Sequence, residues 1–123
     1  MAAAVRDRFA LRADDQAAQW LDEHPRASRL FITYMSSRAC CSGALVCDVR
    51  VRVDTTGSQP DMPGKSWVAL GLLRGREVMI DARLIDRMPA QLVFIQRGVG
   101  PFRHLDLDLS GDQWADVLYP APR

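Results

Sequence analysis

"ALVCDVRVRV", residues 44–53, is the stretch whose reading decides the fold. Leu45, Cys47, Val49, Val51 and Val53 fall on one parity, and Asp48, Arg50 and Arg52 on the other. Strict alternation of this kind is the period of a β-strand with one buried face. A slip of one residue would invert both faces, so the pattern also sets the register. Val49, Val51 and Val53 are therefore expected to be buried.

Outward from this strand the chain reads as short β elements. "LFITYM" (residues 30–35) just upstream is rich in β-branched and aromatic residues and reads as a strand. "WVALGLL" and "REVMID" read as strands around an Arg74-Gly75 turn, and "QLVFIQR" as another. "GVGP" is a tight turn, and "HLDLDLS" alternates again, with Leu105, Leu107 and Leu109 inward and His104, Asp106 and Asp108 outward. "TTGSQPDMPGK" is a loop by its prolines and glycines. Asp14 and Asp15 before "QAAQWLDEHP" predict a capped helix with Trp20 and Leu21 on one side and a stop at Pro25. "ARLIDRMP" offers one helical turn, and "WADVLYP" is apolar enough to dock. The expectation is a single β-rich α+β domain over residues 1–123, with its core in about 30–109. It would have about six short, mostly antiparallel strands and an N-terminal helix.

Composition bounds the function classes. The chain has 123 residues, 48% hydrophobic and 25% charged, as a soluble globular domain has. A net charge of +1, with arginines interleaved among Asp and Glu, makes no electrostatic case for nucleic acid or an anionic membrane. Arg6, Asp7 and Arg8 interrupt the region where a signal peptide would carry its apolar run. No apolar run is long enough to span a bilayer, so a cytoplasmic location is expected.

The three cysteines all lie in "RACCSGALVC", residues 38–47. They are too few and too odd for a secreted disulfide framework. Clustered thiols in a reducing compartment point to a metal, to redox chemistry, or to no chemistry at all. Cys40 and Cys41 sit in or beside a turn between two strands. Gly43 permits positive φ there. Free turn amides and Arg38 favour thiolate, the form that binds metal or attacks an electrophile. Against this, adjacent cysteines rarely ligate one metal together, and a vicinal disulfide is strained. Cys47 lies on the apolar face of its strand, where a free cysteine reads as core. The residues alone leave Cys40 and Cys41 open between a functional and a structural role.

"ACCSG", "VALGLLRGREVMID" and "QLVFIQRGVGPF" together resemble an uncharacterised bacterial family, domain of unknown function 779. The match places its twin-cysteine turn on Cys40, Cys41, Gly43 and Cys47. Its "V-x-L-G" strand falls on Val68, Leu70 and Gly71, and its glycine turn on Gly98, Gly100 and Phe102. The order of elements also resembles the HesB-like fold of A-type iron–sulfur carriers, with "CSG" (41–43) and "GREVMID" (75–81) at the corresponding places. With the resemblance, the expectation is an accessory protein whose thiol turn binds an iron–sulfur species or a metal such as zinc, or undergoes reversible thiol oxidation, beside a partner enzyme such as an aldehyde dehydrogenase. Those carriers also have a C-terminal Cys-Gly-Cys, which this chain lacks. One chain thus offers too few thiols for a closed four-sulfur site, and completion across a homodimer is expected. The alternative is a non-catalytic interaction module with structural cysteines.

Other constellations read more simply. His104, Asp106 and Asp108 suit a hard cation but equally a solvated strand face. Arg50 and Arg52 have the same spacing and opposite charge, so cross-strand ion pairs follow if the two strands are neighbours. His24 before Pro25 reads as a helix-end residue. "RGVGPF" precedes a strand, whereas a phosphate loop would run into a helix. "MPGKS" lacks the glycine spacing of a nucleotide-binding loop. No Ser-His-Asp triad is visible, and no general acid or base stands beside the thiols, so an enzyme is not expected.

Overall fold

The computed structural model describes residues 8–38, 45–54 and 66–119. Within them the alternating stretch is a strand, as its period requires. The elements run β1 (Ala10–Ala13), α1 (Asp15–Glu23), β2 (Arg29–Arg38), β3 (Leu45–Asp54), β4 (Trp67–Leu73), β5 (Arg76–Asp81), β6 (Gln91–Arg97), β7 (His104–Leu107) and α2 (Gly111–Leu118). Short 3-10 turns follow β5 and β6. This is a β-rich α+β architecture with two departures from expectation. There are seven described strands, because the four-residue β1 adds one, and a second helix closes the described chain.

The strands form two sheets, in the orders β3-β2-β5-β4 and β1-β6-β7. Pairing is mixed. β2 pairs antiparallel with β3 and parallel with β5, and β1 pairs parallel with β6. β1 also lies beside β4, and β3 beside β7, without ladder bonds. The two sheets thus wrap one core and leave two unladdered seams.

Val49 is 6% exposed, while Val51 and Val53 are half-buried against the core, so the register read from the alternation holds. Leu105, Leu107 and Leu109 are buried as well. β2 is central in its sheet and buried on both faces: Leu30, Ile32 and Tyr34 on one, Phe31 and Thr33 on the other. A continuous apolar run is the composition such a strand needs. Phe31 meets the Trp67 ring edge-on at 5.0 Å.

Helix α1 is capped by Asp14, whose carboxylate accepts from Ala17 N at 2.7 Å, and it buries Ala17, Trp20 and Leu21. At its other end His24 is the C-cap. The imidazole stacks on Trp20 with centroids 3.8 Å apart and sets Nδ1 2.6 Å from the Trp20 carbonyl oxygen. The charge at this C-terminus comes from Arg76, whose guanidinium donates to the carbonyls of Leu21 (2.6 Å) and Ala27 (2.9 Å). Arg74 (φ 49°) and Gly75 (φ 81°) are both left-handed, as the tight hairpin between β4 and β5 demands. Helix α2 begins with a capping box, Ser110 and Gln113 each accepting from the other's backbone N–H.

Candidate functional site

Ten consecutive residue pairs join β2 to β3, from Arg29 opposite Asp54 at one end to Arg38 opposite Leu45 at the other. Cys40, Cys41 and Gly43, expected at the turn, lie outside the described residues. Their flanks are described: the ladder runs unbroken to Arg38 and Leu45. Cys47 pairs with Ser36, two residues along β3 from Val49, whose partner is Tyr34. By the two-residue period Cys47 therefore shares its strand parity with buried Val49. Arg38, by backbone, is the last residue of β2.

Midway along β2 lies a polar cluster that sequence reading missed. Asp81 ends β5 and is fully buried. Its carboxylate accepts from Arg83 N (3.0 Å), Arg83 Nε (3.1 Å) and a terminal nitrogen of the same guanidinium (2.8 Å). That guanidinium also donates to the Tyr34 carbonyl at 3.0 Å and lies 4.9 Å over the Tyr34 ring, with Arg87 5.2 Å from the same ring. The hydrogen bond to Asp81 holds the Arg83 pKa above its ordinary value. Partial desolvation opposes that rise, and the Asp81 charge adds to it. The only available sequence signal was an Asp before a helical turn with Arg two residues on, which is too common to single out.

These arginines act on Tyr34 rather than on the thiols. Tyr34 is four residues from Arg38, roughly 13 Å along a strand, which exceeds the screening length of about 8 Å at physiological salt. Arg38 itself is the nearest cation in sequence to the twin cysteines.

The second constellation, His104 with Asp106 and Asp108 facing Arg50 and Arg52, is brought together only in part. β3 and β7 do lie side by side, and their edges bound a groove of about 580 Å³ lined by Asp48, Arg50, Arg52, His104 and Asp106. The expected ion pairs across it do not form. Arg50 pairs with Asp48 of its own strand at 2.5 Å, and Asp106 with Arg97 of β6 at 2.9 Å. The strands are neighbours across a seam rather than a ladder, so their side chains are not set opposite one another as in a paired sheet. His104 places Nδ1 2.9 Å from the Phe102 carbonyl oxygen, as an N–H donor to it. Among the described residues no group of three His, Cys, Asp or Glu side chains is placed to hold a metal ion.

No helix among the described residues is long and apolar enough to cross a membrane. No family model matches the chain, and no curated protein matches it.

Proposed function

We propose that this protein is a small HesB-like accessory protein whose working end is the twin-cysteine connection between β2 and β3. Cys40 and Cys41 are the principal ligands of a zinc ion or an iron–sulfur species, with Cys47 in support. The observation that carries this reading is the ladder continuing to Arg38 and Leu45. It fixes the two ends of the segment bearing both cysteines on one antiparallel strand pair, whose β2 is buried on both faces over residues 30–34. A rigid base restricts how far the thiols must be ordered when a metal binds. Arg38 supplies positive charge beside them, which favours thiolate. A bound metal would supply Lewis acidity or one-electron chemistry. The chain's own part is to present deprotonated sulfur and to dock a partner enzyme.

Metal content tests the proposal. Protein purified without oxygen should carry iron with labile sulfide, or zinc, at a fixed ratio to chain. Cys40→Ser and Cys41→Ser should each lose most of it while keeping the folded circular-dichroism spectrum. A wild-type protein that stays metal-free after reconstitution with ferrous iron and sulfide, and after incubation with zinc, would sink the reading. The thiols would then be structural and the protein an interaction module.

A further inference from the structure

Four large apolar side chains among the described residues are more than half exposed, and two of them, Val99 (80%) and Phe102 (76%), sit in the one turn between β6 and β7. That turn is stiff. Gly98 has φ +85°, and a Cβ there would lie 2.2 Å from the Phe102 carbonyl oxygen, so the chain folds directly over it. Phe102 N donates to the Val99 carbonyl at 3.1 Å, and Pro101 fixes its own φ inside the 3-10 turn. An apolar knob held this way loses little conformational freedom on docking.

Near the knob, across the Arg103–Glu23 contact, is a hollow. A concavity of about 430 Å³ is lined by Glu23, His24, Pro25, Arg26, Ala27 and Val53, where α1 ends and β3 finishes. Knob and hollow are linked by Arg103, which follows Phe102 and reaches Glu23 at 3.5 Å. Both partners of that ion pair are about 40% exposed (43% and 39%), so the pair contributes little within one chain. Exchanging it costs correspondingly little.

We infer that this face is self-complementary: two copies associate about a twofold axis, the Phe102 knob of each entering the α1–β3 hollow of the other. A twofold contact needs both halves of the interface on one chain, close together. The adjacency of an apolar projection, an apolar-floored hollow and opposite charges at their shared rim meets that condition. Arg103 of one copy then faces the partner's Glu23. This dimer differs from one completed by metal. The hollow lies at the Arg29–Asp54 end of the ten-pair β2–β3 ladder, opposite its Arg38–Leu45 end.

Sedimentation velocity over a range of concentrations, in reductant and chelator, tests the inference apart from any thiol chemistry. The full chain should shift from monomer to dimer as concentration rises, and Cys40→Ser/Cys41→Ser should do so identically. Phe102→Ala should weaken association about tenfold or more, the usual effect of removing a central aromatic anchor. Glu23→Arg and Arg103→Glu should each associate poorly alone, yet dimerise when mixed, because only the heterodimer sets opposite charges across both rims. A wild-type chain that stays monomeric at several hundred micromolar overturns the inference. So does a mixture that sediments as the sum of its parts, or a Phe102→Ala dimer of unchanged affinity.

Discussion

Asp81 is the residue whose chemistry most constrains the middle of β2, through Arg83 and Tyr34. A fully buried carboxylate is tolerable only when its oxygens are paired, and here one guanidinium and one backbone N–H supply three donors. Asp81→Asn keeps the shape but loses the charge and one acceptor. It should lower stability by about 2 kcal/mol, the scale of a charge-assisted hydrogen bond, with half-exposed Arg83 keeping the loss from being larger. The midpoint of urea unfolding would report this. Because the folded-state pKa of Arg83 is raised, the stability its charge contributes is complete below the unfolded value and is lost only as pH rises through the folded one. The Arg83 side of the pair should therefore add no slope to stability between about pH 6 and pH 9. A steep loss of wild-type stability near pH 8 that Asp81→Asn abolishes would contradict this.

At the scale of elements, the parts of the fold with a local period were legible and those that depend on distant partners were not. The alternation in β3 and β7 set which side chains face the core, because a period of two has only two outcomes. The Asp14 cap and the Arg74-Gly75 turn were legible because each residue has a local backbone job. β1 was not, since "ALRA" is four residues long and becomes a strand only by lying parallel to β6, some eighty residues away. Helix α2 is legible only from Ser110 and Gln113, whose spacing is that of a capping box, because its apolar residues are too few to show a helical period. The candidate site divided the same way. Clustered thiols show in a sequence, whereas the Tyr34, Asp81 and Arg83 contacts need tertiary neighbours. The two glycine turns give a paired prediction at this scale. Gly75→Ala meets no atom within 4 Å and should cost only the left-handed penalty, about 1–2 kcal/mol. Gly98→Ala carries that penalty and drives a methyl into backbone, so it should cost clearly more and disturb β7 pairing at His104. Equal melting temperatures for the two variants would show that the turn after β6 is looser than its geometry implies.

For the whole molecule, the decisive feature is that the chain leading to the twin cysteines leaves one end of the β2–β3 ladder, while the α1–β3 hollow lies at the other. Ten residues of strand separate the ladder's ends by about 30 Å, several screening lengths and well beyond direct side-chain contact. Effects at such separated sites add rather than couple. In reduced, metal-free native protein, iodoacetamide should label Cys40 or Cys41 well before Cys47. Cys47 pairs with Ser36 inside the ladder and shares the strand parity of Val49, and a thiol on a core-facing parity is expected to be slow to alkylate. Phe102→Ala, made at the far end, should leave those labelling rates within about twofold of wild type while it changes self-association. Mass spectrometry of peptides over a time course resolves the order of labelling. Cys47 reacting first would mean that the strand frays as far in as Ser36. A tip substitution that altered thiol reactivity in the monomer would show that the two ends are coupled through the sheet rather than independent.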